Sequence, residues 1–121
     1  DIELAKECYE KGVLYAKKLS NKSWEAHSYL GLSLMVAQEN ESKALQLVED
    51  AEPIYKSSNH IWGILMSEVI RNYCLNIHDE VDFEKLEEVK KKANTNNYRY
   101  IESIATELME NESVEIKLLF L

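Results

Sequence analysis

Apolar residues recur every three or four positions along nearly the whole chain. Between residues 2 and 19 this spacing forms one continuous stripe, as expected for one side of an α-helix. The same pattern predicts helices over residues 23–38, 42–57, 60–77, 82–94 and 98–109, and a seventh that begins at Ser113. Three glycines and one proline are too few for the many turns of an all-β fold. We therefore predict an all-α fold of about seven helices.

Short runs of Asn, Ser and Asp separate these helices. Ser23, Asp82 and Ser113 stand where a helix begins, and each has a side-chain oxygen that can accept a hydrogen bond from a backbone N–H of the first turn. We expect them to be N-caps. Pro53 lies inside the third predicted helix, so we expect a kink or an early end near Glu52, because proline lacks an N–H and crowds the preceding turn.

The chain contains an internal repeat of about 38 residues. The corner at residues 21–24 superimposes on residues 59–62 and again on residues 96–99, at shifts of 38 and 37. In the second helix of each pair, Ala5, Tyr9 and Gly12 superimpose on Ala44, Val48 and Ala51 at a shift of 39. This divides a single repeat domain, 1–121, into a half unit at 1–20, units at 21–58 and 59–95, and an incomplete unit at 96–121. An ordinary helical bundle with accidental spacing is the alternative.

The best-formed unit resembles a tetratricopeptide (TPR) repeat. Leu30-Gly31 lies in its first helix, and the small residues Ala44 and Ala51 lie seven apart in its second. The second unit departs from this pattern, since Val69 occupies the glycine position. Long, degenerate units of this kind are similar to those of MalT-type bacterial transcription and signalling regulators. The resemblance implies a right-handed stack of antiparallel helix pairs, an α-solenoid, in a larger regulatory protein.

Charge and termini narrow the class of protein. The 121 residues include 22 acidic and 14 basic side chains, a net charge of −8, which opposes direct binding of nucleic acid. No signal peptide is visible, and the longest apolar run, 118–121, is far too short to span a membrane. We expect a cytoplasmic protein whose two cysteines are reduced. The chain does not begin with Met and stops within an apolar helical pattern, so we expect an excerpt of a longer protein.

Few residues suggest catalysis or metal binding. His78, Asp79, Glu80 and Asp82 gather near Cys74 and form a conceivable metal half-site; a helix end followed by an N-cap is the simpler interpretation. His27 and His60 have no partners at ligand spacing and are interpreted as packing or cap residues. The many carboxylates, including Glu49 to Glu52, are interpreted as a solvated face. Motifs of phosphate-binding loops, nucleophile elbows and zinc proteases do not occur, so we expect neither an enzyme nor a cofactor.

In the TPR architecture the first helix of each unit lines a concave groove. The resemblance therefore implies that this groove binds a protein or peptide, or another domain of the same chain, and its candidate residues are Ser28, Leu32, Met35, Met66, Ile70, Tyr73, Tyr100, Ser103 and Glu107. Met and Tyr suit an amphipathic partner helix. The alternative is that these side chains pack against neighbouring helices.

Two other functions are kept as alternatives. One is a structural spacer in a longer solenoid, and the other is a small metal-binding or catalytic helical domain. A homodimer through exposed repeat ends is a further possibility.

Overall fold

The computed structural model describes residues 1–110 and 114–116, and this part of the chain is helical without a strand. The predicted all-α class is confirmed. Its six helices are α1 (Ile2–Lys18), α2 (Lys22–Val36), α3 (Glu41–Ser57), α4 (Ile61–Asn76), α5 (Phe83–Thr95) and α6 (Arg99–Met109). The predicted seventh helix begins at Ser113, which lies outside the described residues, and residues 114–116 have no regular secondary structure.

Side chains cap the starts of α1 to α5, whereas Tyr98 at the start of α6 forms no side-chain cap. Asp82 caps α5 as predicted, since its carboxylate accepts from the N–H of Lys85 at 3.1 Å. The prediction for Ser23 is wrong: Asn21 is the N-cap of α2, and its side chain accepts from the N–H of Trp24 at 3.0 Å. Asn also caps best in peptides, and here it begins the helix two residues earlier than Ser23 would.

Pro53 does not end α3, which continues to Ser57. The predicted early end near Glu52 is therefore wrong. Proline deprives the carbonyl of Glu49 of its helical N–H partner, but both Glu49 and Pro53 are exposed. Water can hydrate that carbonyl, and the packed opposite side of α3 holds the helix together.

Three corners, each before an even-numbered helix, share one backbone geometry, which also occurs at Asp79 (φ 56°), where Glu80 donates its N–H to the carbonyl of Leu75 at 3.0 Å. Ser20, Asn59 and Asn97 have positive φ angles of 54°, 52° and 63°. In each corner the next residue donates its N–H to the carbonyl five residues earlier, at 2.8 Å: Asn21 to Ala16, His60 to Tyr55, and Tyr98 to Ala93. This is the Schellman type of helix end, with Asn and Ser taking the position that glycine usually occupies.

These corners correct the register of the repeat. The N-caps Asn21, His60 and Tyr98 are spaced by 39 and 38 residues, one more at each step than the superposition from sequence. Trp24 and Trp62 are consequently not equivalent, because Trp24 is three residues after its N-cap and Trp62 is two. The superposition from sequence pairs Trp24 with Trp62, whereas the backbone geometry recurs at the helix ends.

Helices of even and odd number form two different layers. Each helix contacts the next along the chain, and α4 also contacts α2 and α6. In the described part of the chain α1, α3 and α5 do not contact one another. The core lies between the layers, and its largest fully buried side chains include Tyr55, Leu30, Met66, Ile70, Leu86, Ile101 and Leu108.

Glycines allow two tyrosines to enter the helix crossings. A Cβ on Gly63 of α4 would lie 2.1 Å from Cδ1 of Tyr55, and one on Gly31 of α2 would lie 2.1 Å from Cε1 of Tyr9. No methyl group fits at such distances. The glycines therefore serve close approach of an aromatic ring to a helix, not backbone flexibility.

Candidate functional site

Four of the nine predicted groove residues offer no surface to a partner. Ser28, Leu32, Met66 and Ile70 are buried. Ser28 lies against α1, where a Cβ on Gly12 would be 2.6 Å from its Oγ. Their burial agrees with the alternative that these side chains pack between helices, because α2 and α4 are each covered by several neighbours.

The other five groove candidates remain accessible to different extents. Met35, Tyr73 and Glu107 are half-buried, whereas Ser103 is exposed and Tyr100 is 44% exposed. The three candidates on α6 thus border a solvent-facing side of this helix. The accessible residues of the predicted groove are therefore Met35, Tyr73 and the three candidates on the solvent-facing side of α6.

A cluster of two histidines, a tyrosine and a tryptophan joins α2, α3 and α4. We call His27, Tyr55, His60 and Trp62 the histidine–aromatic cluster. The Tyr55 hydroxyl lies 2.5 Å from Nδ1 of His27, and the His27 ring centroid is 5.9 Å from that of His60 and 6.0 Å from that of Trp62. The Tyr55 and His60 rings are 5.1 Å apart.

Burial and hydrogen bonds set the protonation of this cluster. Burial raises the pKa of Tyr55, so its hydroxyl keeps its proton and hydrogen-bonds with Nδ1 of His27 in a direction set by the tautomer of that ring. Burial, with the nearby His60, lowers the pKa of His27, so that ring is neutral at pH 7. Nδ1 of His60 accepts the N–H of Gly63 at 2.9 Å, which places the proton of a neutral His60 on Nε2.

The cluster borders a surface cleft between the start of α2 and the end of α3. The cleft has a volume of about 590 Å³, shares Tyr55 with the cluster, and is lined by Lys22, Ser23, Pro53, Ile54, Tyr55, Ser57 and Ser58. The sequence interpretation of His60 as a cap residue is confirmed. The contact between His27 and His60 was missed, since 33 residues separate them and only the tertiary fold brings them together.

A buried ionic network ties α3 to α4 on another side. Arg71 contacts both carboxylate oxygens of Glu52, at 2.5 and 3.4 Å, and also contacts Glu68. Burial disfavours ionisation of Glu52, but hydrogen bonds with Arg71 and Glu68 and the charges of Arg71 and Lys56 together outweigh it and hold the pKa of Glu52 below its usual value. Burial raises the pKa of Glu68, and the neighbouring Glu52 adds to that rise against the opposing charge of Arg71.

This network corrects the sequence interpretation of Glu52. Its side chain is only 13% exposed and does not belong to a solvated face. The glutamate lies on the packed side of α3 next to Arg71, 19 residues further along the chain. A half-buried network of this kind positions two helices, and Arg71 contacts both carboxylates.

The residues of the conceivable metal half-site do not come together. Cys74 is fully buried, lies 3.9 Å from the Oγ of Ser33, and has a pKa raised to about 11 by burial. His78 instead extends from the end of α4 and contacts Glu41 at 2.6 Å, while Asp82 caps α5. Among residues 1–110 and 114–116, no three His, Cys, Asp or Glu side chains are grouped to hold a metal ion.

Comparison of the chain with protein-family models, with curated proteins and with solved structures found no match. In the part of the chain that the structure describes, none of the helices has the length and apolarity needed to cross a membrane. The proposed function therefore rests on the surfaces of this chain alone.

Proposed function

We propose that this chain is a TPR-like helical-repeat segment of a larger cytosolic regulatory protein and that it binds a protein or peptide. The layering of the helices is the observation that carries this proposal: α2, α4 and α6 follow one another in contact, while α1, α3 and α5 do not. Helices that approach more closely on one side curve a stack towards that side. The even-numbered helices would thus form the inner, concave surface of a solenoid.

Accessible side chains on the even-numbered helices form the proposed binding face, which we define as Leu34, Trp62, Tyr73 and Tyr100. Trp62 and Tyr100 each stand two residues after an N-cap, and Leu34 and Tyr73 each stand thirteen residues after one. They thus occupy matching positions on neighbouring helices. All four are half-buried or exposed. Large aromatic rings with a polar tip suit the apolar side of an amphipathic helix.

The proposal is tested by selecting binders from a displayed library of amphipathic helical peptides. We expect Tyr73→Ser and Tyr100→Ser to weaken the selected peptides at least about tenfold, as for aromatic residues that dominate an interface. Phe83→Ser is the matched control, because Phe83 is an exposed aromatic residue on the other layer, 52% accessible. Peptides that bind all three variants equally would place the partner elsewhere and contradict the proposed face.

A structural spacer in a longer solenoid is the second candidate. The observation that favours it is the surface of α1, which exposes Ile2, Leu4, Leu14, Tyr15 and Leu19. Helices inside a solenoid bury such residues against the adjacent repeat. A library selection that yields no peptide binder, together with a folded chain, would favour the spacer over the binding module.

A further inference from the structure

An apolar stripe runs along the open side of α1. It consists of Leu4, Cys8, Tyr15 and Leu19, which are spaced by four, seven and four residues and therefore share one side of the helix. Leu4 is 58% exposed, Tyr15 52% and Leu19 71%. The stripe lies beside the positions that pack on α2, and α2 is the one helix of the described chain that α1 contacts.

The internal repeat shows what covers the equivalent side of α3. At the shift of 39 residues, Cys8 corresponds to Leu47 and Tyr15 to Ile54. Leu47 is buried and Ile54 is half-buried, and Ile54 lines the cleft that the start of α2 also borders. The end of α3 thus meets the start of α2, so the two helices are antiparallel. An antiparallel helix therefore lies next to this side of α3, where Leu47 and Ile54 are partly or fully buried, while Lys43 and Ser58, which correspond to Leu4 and Leu19, are exposed.

Charge along α1 indicates which antiparallel helix fits. Residues 1–10 contain four acidic side chains and one lysine, whereas residues 11–22 contain four lysines and no acid. An antiparallel second copy of α1 places each acidic half beside a basic half, while a parallel copy places like charges together. Leu4 then lies opposite Leu19 of the second copy, and the two-fold axis passes next to Lys11. In each copy the Glu7 carboxylate lies 3.0 Å from Lys11, on the side of the helix that also carries Lys18.

We propose that the apolar stripe of α1 binds a second copy of this chain, as an antiparallel, two-fold symmetric helix pair. Apolar contacts of the stripe provide the affinity, and pairing of Glu7 with Lys18 of the second copy sets the antiparallel direction. This inference does not rest on the proposed binding face, which lies on the even-numbered helices. Either proposal can fail without the other.

Sedimentation of the whole chain, with and without changes in the stripe, provides the first test. We expect a dimer at sub-millimolar concentration, and we expect Tyr15→Glu and Leu19→Glu to raise its dissociation constant at least about tenfold. Both side chains are exposed, so the substitutions leave the fold intact, which circular dichroism verifies. Phe83→Glu, an exposed aromatic position on α5, is the control and should remain dimeric. A wild-type monomer, or a dimer that both stripe variants retain, would overturn the proposal.

Mixing two charge variants tests the antiparallel direction. Glu7→Lys alone places lysine beside Lys18 of the second copy, and Lys18→Glu alone places glutamate beside Glu7, so each variant alone should dimerise at least about tenfold more weakly. An equimolar mixture pairs opposite charges at both ends and should associate as a heterodimer more tightly than either variant alone, although one copy lacks the contact between Glu7 and Lys11. The same charges also stabilise each helix on its own, because acids suit its start and lysines its end. Both variants weaken that effect within their own chain. Mixing the two chains cannot restore it, so recovery by the mixture reports pairing between copies. Failure of the mixture to associate would refute the antiparallel pairing.

Discussion

Tyr55 joins three helices through one side chain. It projects from α3, fills the space left by Gly63 of α4, and its hydroxyl forms a hydrogen bond with His27 of α2. Its side chain is 1% exposed, so the hydroxyl would be costly to bury without that partner. This role depends on His27, 28 positions before Tyr55, and on Gly63, eight positions after it. No local sequence pattern reveals that either residue contacts Tyr55.

Acidification should destabilise the fold through His27. Its pKa in the folded state lies below the usual value of about 6.5 because burial, and then the adjacent His60, oppose a positive charge on the His27 ring. Above that usual pKa both folded and unfolded chains hold a neutral His27. When the pH falls from the usual pKa of histidine towards the lower pKa of folded His27, the unfolded chain takes up a proton before the folded chain does. The free energy of unfolding therefore decreases over this range.

His27→Gln isolates this contribution, since glutamine keeps an acceptor for Tyr55 but does not titrate. Urea unfolding between pH 7.5 and 5.5, a window set to about one unit on each side of the usual histidine pKa, should show a shallower loss of stability for the variant than for the wild type. An unchanged pH slope would mean that His27 is not the group that titrates.

Helix α3 illustrates how packing overrides a local signal at the scale of an element. Pro53 predicts a break, yet the helix extends four residues beyond it. The apolar side of α3, which includes Ala44, Val48 and Ala51, is fully buried. Burial of that side stabilises α3 by more than the hydrogen bond that Pro53 removes, because the missing bond lies on an exposed turn.

Pro53→Ala should therefore stabilise the protein. The alanine N–H can donate to the carbonyl of Glu49, and alanine is favoured over proline in a helix interior by about 3 kcal/mol. The looser unfolded chain offsets about 0.4–1 kcal/mol of that gain, so we expect a net increase of roughly 2–2.5 kcal/mol in the free energy of unfolding by urea. Lys43→Ala, at another exposed position of α3, serves as control and should change stability by less than about 0.5 kcal/mol. A decrease for Pro53→Ala would show that the proline is needed for the path of α3.

Over the whole molecule, the number of neighbours differs strongly from one helix to another. Helix α4 contacts α2, α3, α5 and α6, whereas α1 contacts only α2 in the described chain. The ionic network around Arg71 adds a further link between α3 and α4. In a stack of repeats such differences become differences in local stability, because each helix depends on its nearest neighbours.

Native-state hydrogen exchange should follow this order. Amides of α4 are expected to exchange only through global unfolding, and those of α1 through a local opening of lower free energy. A dimer through the stripe of α1 would slow its exchange at high protein concentration, so the measurement is made on dilute protein. Equal protection of α1 and α4 would contradict the dependence of each helix on its neighbours.

The sequence by itself determined the all-α class, the six described helices to within a few residues, and the cap at Asp82. These features depend on spacing and on contacts three residues apart, which are local in the chain. The tertiary structure decided which residues are accessible: it buried Ser28, Leu32, Met66 and Ile70, brought His27 to His60, and enclosed Glu52 with Arg71. The rotation of each helix against its neighbours sets these pairings, and a helix with apolar residues on most of its sides, such as α4, does not encode that rotation fully in its own pattern.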